Sequence, residues 1–429
     1  MAPFDAELYL RLAGERILLD QTGQNHGWWD SELTVAAGAL CAIGAIDDEA
    51  AQEIVDDYSL ALALRHEGQA HHLAMRRTHR QGPEREVPPL QPRRVVPCDH
   101  VVENAAGTIQ LRYVSLGDDR TGLAATFRSA RSGSRRGNRA RMIMLGAGHW
   151  GGGGPPQLTV TDDRGTTART SFSGGGNESE WEGHFEADRP LARDTAWIEI
   201  EGERVELAGE QPQVDVSVEA LPEEDPALRY LWRRVAATHH VHQGGERLEV
   251  AIDALVAAGA LAADSPELDD VRAVAAAVQH GQRPRRSARQ LPEPWRSLFA
   301  RGRRADGTIA VGAVSLQFDG ISVAVMSLES TPDGFTAEVE IAPGLSGGAP
   351  SDTSVGGSTL TWWAADDRGN HYRGQLGSWS GSDTHSEGSI EFWPPLDARA
   401  THLRLLPTAQ TSRCVITIPL PWASPEGRA

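Results

Sequence analysis

The chain has 429 residues, which exceeds the usual size of a single hydrophobic core, so the length predicts two to four domains. Its formal net charge of −18 disfavours general binding to the phosphates of nucleic acids. All 41 basic side chains are arginines, because the sequence contains no lysine. This excludes Schiff-base, P-loop and kinase chemistry that depends on a lysine.

The sequence start and the cysteines bear on location. The first residues lack the basic start and apolar stretch of a secretory signal, and the sequence contains no apolar run of about 18 residues. We therefore predict a cytoplasmic protein with no membrane contact. We also predict that the protein has no cofactor. The three cysteines, Cys41, Cys98 and Cys414, are far apart, which favours buried free thiols over a zinc ribbon or a disulfide framework.

Two series of similar segments follow each other in the same order. Residues 33–46 share their apolar positions with residues 248–261, and Asp-Asp-Arg-Gly occurs at 162–165 and again at 366–369. These matches predict an internal repeat, a tandem duplication. The predicted fold class is α+β multidomain, with two copies of a small α-helical bundle followed by an all-β antiparallel, immunoglobulin-like (Ig-like) sandwich. The predicted domains are a helical domain at 1–80, a β-sandwich at 95–218, a second helical domain at 222–300 and a second β-sandwich at 306–422.

Residues 5–65 have the pattern of helices. Apolar residues recur every three or four positions along the last of them, namely Ile46, Ala50, Ile54, Tyr58 and Ala61. Asp47 is placed to cap this helix and Gly44 to end the preceding one. A helix-turn-helix DNA reader is disfavoured, because the helix that would enter the groove carries six carboxylates and no arginine before Arg65.

Arginines are concentrated in segments 76–94 and 283–304, and in a loop spanning 128–141. Two interpretations stay open for them. The segments either dock on the protein's own acidic faces or contact an anionic partner.

Residues 95–218 and 306–420 contain alternating runs separated by turn residues, which is typical of antiparallel β-structure. The two Asp-Asp-Arg-Gly segments are predicted to be hairpin turns in which glycine supplies a positive φ. Gly344–Gly348 satisfies the nucleophile-elbow pattern, but a loop follows it where that motif requires a helix.

Histidines and tryptophans supply the candidate site residues. His239, His240 and His242 lie close enough in sequence to bind a transition metal, although surface histidines explain the pattern as well. His66 and His71 are five positions apart, so they diverge on a helix and do not form the zinc-protease pair. Adjacent or clustered tryptophans are candidates for partner binding, with core packing as the alternative: Trp28, Trp29, Trp362, Trp363 and Trp379.

The sequence favours a non-enzymatic protein-interaction, scaffold or regulatory protein whose expected partner is another protein. Repeated modules usually bind or assemble, and no catalytic motif is complete. Two alternatives stay open: a metal-dependent enzyme that uses the histidine cluster, and a carbohydrate-binding β-sandwich protein that uses the carboxy-terminal tryptophans.

Overall fold

The structure is a computed structural model, and it describes residues 3–20, 30–65, 87–130, 155–176, 180–208, 212–237, 244–279, 294–298, 308–331, 333–344, 360–381 and 385–421.

Helices occur in two stretches of the described chain. The first stretch holds α1 (Ala6–Asp20), α2 (Asp30–Ala42) and α3 (Asp48–Arg65). The second holds α4 (Pro226–Ala237), α5 (Gly244–Ala257), α6 (Pro266–Gln279) and the four-residue α7 (Trp295–Leu298). None of the helices in the described residues is long and apolar enough to cross a membrane.

Local signals set the ends of these helices. The Asp5 carboxylate accepts a hydrogen bond from the Leu8 amide at 3.0 Å, and the Asp47 carboxylate accepts one from the Ala50 amide at 2.8 Å. Both are N-caps, which confirms the predicted role of Asp47. Gly44 follows α2 with a φ of 69°, a left-handed conformation that glycine adopts at little cost.

The helices form one shared core instead of two bundles. Leu10 and Leu40 from the first stretch and Leu231 and Leu255 from the second are all buried in the same hydrophobic cluster. The Tyr230 hydroxyl on α4 donates a hydrogen bond to the Val35 carbonyl on α2 at 3.0 Å. The prediction of two separate helical bundles is therefore wrong, because each stretch buries its apolar face against the other.

The first sheet has eight antiparallel strands: β1 (Arg94–Asn104), β2 (Gly107–Leu116), β3 (Thr121–Ser129), β4 (Thr159–Asp162), β5 (Thr167–Gly176), β6 (Glu180–Ala187), β7 (Trp197–Ile200) and β8 (Glu203–Glu206). They lie in the order β1-β2-β3-β6-β5-β4-β7-β8.

The second sheet has nine antiparallel strands: β9 (Asp215–Ala220), β10 (Thr308–Val314), β11 (Ser322–Ser330), β12 (Phe335–Ala342), β13 (Thr361–Asp366), β14 (His371–Gly381), β15 (Ser386–Trp393), β16 (His402–Thr408) and β17 (Ser412–Pro419). Their order is β10-β11-β12-β15-β14-β13-β16-β17-β9.

The described chain is mostly β-structure, and of its two large antiparallel sheets one forms a half-barrel and the other a nearly closed barrel. The predicted Ig-like sandwiches are wrong, because each set of strands is hydrogen-bonded into one continuous sheet and not into two stacked layers. Bulges such as the one between Leu111 and Tyr113 increase the local twist and help a long sheet to curl.

The predicted tandem repeat of a helical bundle followed by a sandwich is also wrong. The helices of both stretches share one core, and β9, which follows the first sheet in sequence, pairs with β17 of the second. The domain boundaries stay a prediction. The two Asp-Asp-Arg-Gly turns are confirmed, since they connect paired strands and Gly165 and Gly369 both have a φ of 81°.

Close contact between α2 and α4 gives a stability prediction. A Cβ atom on Gly38 would lie 2.8 Å from the Tyr230 hydroxyl. We expect Gly38→Ala to destabilise the protein by about 1–3 kcal/mol through overpacking. In a Tyr230→Phe background the same change should instead stabilise by up to about 1 kcal/mol, because alanine favours helix. Urea unfolding of the four proteins checks this, and stabilisation by Gly38→Ala in the parent chain would contradict the close approach.

Candidate functional site

The structure places the predicted site residues unevenly. His239, His240 and His242, together with Trp28 and Trp29, lie outside the described residues. The metal site and the amino-terminal tryptophan site therefore stay predictions. Among the residues that the structure does describe, no group of three or more histidine, cysteine or acidic side chains is arranged to hold a metal ion.

The tryptophans of β13 are both buried. Trp362 points into the core of the second sheet, and Trp363 points outward, where the helices cover it. The Trp363 ring stands perpendicular to the Trp295 ring of α7 at a centroid distance of 4.9 Å. Trp379 is half-buried beside the second-sheet core. Packing between elements thus accounts for Trp362 and Trp363 within the described chain.

Two arginines of segment 76–94 are described, and both make contacts inside the protein. Arg94 donates hydrogen bonds to the carbonyls of Thr195 at 2.7 Å and Leu207 at 2.6 Å. Arg93 is buried and forms an ion pair at 2.9 Å with Glu340. An anionic partner therefore stays a prediction for the other arginines of that segment, for segment 283–304 and for the loop spanning 128–141.

Arg93 belongs to a group of ionisable side chains between the outer faces of the two sheets, which we call the inter-sheet cluster. It consists of Arg93, Arg112, Tyr113, Arg120 and His184 from the first sheet and its flanking segments, and of Glu338, Glu340 and Glu387 from the second. Small apolar residues pack beside it, namely Ala124, Ala310, Ala324 and Ala342. The cluster lies where the two sheets meet.

Glu340 is the most deeply buried acid of the inter-sheet cluster, with 3% of its side chain exposed. Its carboxylate contacts the guanidinium groups of Arg93 at 2.9 Å and Arg120 at 2.6 Å. Burial raises the pKa of Glu340, and the two arginines oppose this rise. The ion pairs therefore offset only part of the desolvation cost of this carboxylate.

His184 lies on the first-sheet side, and its Nε2 atom is 3.7 Å from a carboxylate oxygen of Glu338. Burial opposes protonation of the ring, but the contact with Glu338 and the charge of Glu387 prevail and raise the pKa of His184 above 6.5. The charged form of the imidazole is thus stabilised by acids of the opposite sheet.

Tyr113 points into the same space. Its ring is 6.0 Å from that of His184, and its buried hydroxyl has no hydrogen-bond partner among the described residues. The cavity that this hydroxyl lines has a volume of about 30 Å³. Such a space has room for one water molecule and not for an organic substrate. The inter-sheet cluster is therefore a closed polar contact and not an active-site cleft.

An open surface lies on the first stretch of helices, and we call it the amino-terminal groove. It has a volume of about 1420 Å³ and is formed by the start of α1 and the turn between α2 and α3. Four carboxylates and one guanidinium line it, from Asp5, Glu7, Asp47, Asp48 and Arg11. The groove is therefore electronegative.

Apolar side chains are exposed along the groove and the adjoining face of α1. Leu8 and Leu12 are four positions apart on α1, and 53% and 62% of their surfaces are exposed in the described chain. Phe4, which is 37% exposed, precedes the helix, and its ring lies 5.7 Å from the ring of Tyr9. Residues four apart lie on the same face of a helix. The opposite face of α1 carries the buried Leu10, so the outward stripe is additional to the core.

Cys41 also lines the amino-terminal groove. Burial and the neighbouring Asp48 carboxylate raise the pKa of its thiol to about 12. A thiol with this pKa stays protonated at neutral pH and is a poor nucleophile. This residue gives the groove no thiolate chemistry.

Sequence reasoning missed both features. Glu338 and Glu340 alternate with buried residues on β12, a pattern that is typical of a solvated sheet face, and nothing local shows that another sheet covers it. The stripe on α1 could have been found, since Leu8 and Leu12 do not follow the spacing of Ala6, Leu10 and Ala13, which form the core side.

No family model and no curated protein matches the chain. A solved structure that is similar to it is described as a conserved domain protein from Bacillus anthracis. The identity is 11%, over 73% of this chain and 77% of that chain, with a TM-score of 0.19. A score this low carries no argument about fold or function.

Proposed function

We propose that the protein is a non-enzymatic interaction protein that binds a basic amphipathic helix of a partner protein in the amino-terminal groove. One observation carries the proposal: a stripe of exposed apolar side chains one helical turn apart lies beside a group of carboxylates. An amphipathic helix of a partner can cover such a stripe with its own apolar face, using anchor residues at every third or fourth position.

Charge selects the partner. The groove lining carries four carboxylates against one guanidinium, and the whole chain has a formal charge of −18. An acidic partner would be repelled, whereas arginines or lysines flanking an apolar face would be attracted and would associate faster. The charge of the groove therefore favours a basic helix over an acidic or neutral one.

A cytoplasmic location is part of the proposal. Cys41, Cys98 and Cys414, which the structure describes, form no disulfide with one another, and Cys98 and Cys414 are buried. Free buried thiols are common where the cell keeps cysteines reduced.

Fluorescence anisotropy with two labelled peptides tests the proposed function. One peptide of about 18 residues has leucines on one helical face and arginines on the other, and the second has glutamates in place of the arginines. We expect the arginine peptide to bind with a Kd in roughly the micromolar range and to weaken as salt is added, because the attraction is partly electrostatic. The glutamate peptide should not bind.

Two variants locate the binding site. Replacing Leu8 and Leu12 together with serine should weaken binding of the arginine peptide by at least about tenfold. Leu316→Ser is the matched control, since Leu316 is an equally exposed leucine in the second sheet region. Equal loss in both variants, or equal binding of both peptides, would contradict the proposal. The proposal would also be contradicted if a peptide of residues 76–94 bound to this surface while the arginine peptide did not. The groove would then be a site for the chain's own segment.

A further inference from the structure

We propose that His184 forms a proton-dependent contact between the two sheets. The protonated imidazole is attracted to acids of the second sheet, and this attraction is lost when the ring releases its proton. The proposal is independent of the amino-terminal groove. It depends on where His184 lies: it belongs to β6 of the first sheet, yet its Nε2 atom is 3.7 Å from Glu338 on β12 of the second.

The surroundings favour the protonated ring. The cavity beside His184 is lined by four carboxylates and two guanidiniums, so acids are in excess. The charged and titratable groups of the network around His184 come from all the neighbouring elements. They are Glu182 and Glu186 on β6, Arg112 and Tyr113 on β2, Glu329 on β11, Glu338 and Glu340 on β12, Glu387 on β15, and Arg93, Arg120 and His385 beside them.

The basic members of the cluster are already engaged. Arg112 is 2.8 Å from Glu182 and 3.7 Å from Glu338, and Arg120 is 2.6 Å from Glu340. Glu338 therefore shares one guanidinium with other acids, and a protonated His184 supplies the additional positive charge. Only 20% of the His184 side chain is exposed, so its charge is screened less by water and salt than the charge of a surface histidine.

The direction of the pH effect follows from linkage. The pKa of folded His184 is raised above 6.5, so its stabilising contribution is fully present below pH 6.5 and is lost as pH rises through the folded value. The pKa of Glu340 is also raised, above its usual value of 4.5, so protonation of this carboxyl likewise favours the folded state. The stabilisation that this protonation contributes is lost as pH rises above 4.5 and through the folded pKa. The contact between the sheets should therefore be tighter in mild acid than in mild alkali.

A double-mutant cycle tests the contact directly. His184→Gln, Glu338→Gln and the double variant are compared with the parent chain in urea unfolding at about pH 5.5 and about pH 8.5. We expect the two substitutions to be non-additive at the lower pH and additive at the higher pH. Non-additivity of the same size at both pH values, or additivity at both, would overturn the proposal.

Two further measurements distinguish titration of His184 from a merely structural role. In NMR spectra of the full chain with carbon-13-labelled histidine, the His184 signal is the one that is absent from the His184→Gln variant. Its titration midpoint should lie above pH 6.5 and should move toward 6.5 when Glu338 is replaced by glutamine. Titration at or below 6.5 would contradict the inference. His100→Gln is the matched control, because His100 pairs with Glu203 at 3.5 Å on an exposed part of one sheet. This control should leave the cycle unchanged.

Discussion

Replacing Arg93 with methionine is expected to destabilise the protein by about 3–5 kcal/mol at neutral pH. Arg93 is 6% exposed at its side chain and forms an ion pair with Glu340, which is 3% exposed. Methionine keeps most of the apolar stem but removes the charge, so Arg120 is the one guanidinium within ion-pair distance that remains for the Glu340 carboxylate among the described residues. Breaking one side of a buried pair is costly because the other charge stays buried.

The loss caused by Arg93→Met should depend on pH and on Glu340. Burial already raises the pKa of Glu340, and removing Arg93 should raise it further. The destabilisation should shrink as pH falls through that value, since a protonated carboxyl needs no counter-charge. Adding Glu340→Gln should recover part of the stability at neutral pH, because no uncompensated carboxylate then stays buried. Arg120 loses its contact with Glu340 in this variant but keeps Asp119 at 3.4 Å.

Urea unfolding at several pH values measures these effects. Arg413→Met is the matched control, because Arg413 pairs with Glu219 at 2.5 Å on the surface, where an ion pair contributes at most about 1 kcal/mol. A loss below about 1 kcal/mol for Arg93→Met, or no recovery in the double variant, would show that the inter-sheet cluster is not a buried electrostatic contact.

Trp363→Ala is expected to lose about 3–5 kcal/mol, the usual cost of truncating a buried aromatic side chain. Trp363 is 9% exposed and belongs to the hydrophobic core of the helices, although it lies on β13 of the second sheet. Its ring contacts Trp295, which in turn lies 5.5 Å from Trp232 on α4. The substitution would leave a cavity between the helices and the sheet.

Thermal and urea unfolding measure this loss, and near-ultraviolet circular dichroism reports the tryptophan cluster. The near-ultraviolet signal should decrease in Trp363→Ala, since three indole rings no longer pack together. Trp393→Ala is the control, because 40% of the Trp393 surface is exposed and its truncation removes less buried area. Equal losses for the two variants would mean that the helices do not depend on the second sheet for their core.

The sequence by itself determined the local structure. Asp47 caps α3 and Gly44 ends α2, because the hydrogen bonds and the positive φ involved depend only on residues a few positions apart. The hairpin turns at Gly165 and Gly369 are fixed in the same way, by an aspartate that accepts amides two and four residues ahead.

Only the tertiary structure decided which surfaces are buried together. A sandwich and a barrel both need strands with one apolar face, so the alternation that predicted two layers fits a single curled sheet equally well. Tyr230 and Val35 meet across 195 positions, and Glu340 meets Arg93 and Arg120 of the other sheet. Contacts of this kind depend on how whole elements pack, and a pattern that extends over a few residues carries no information about its distant partner.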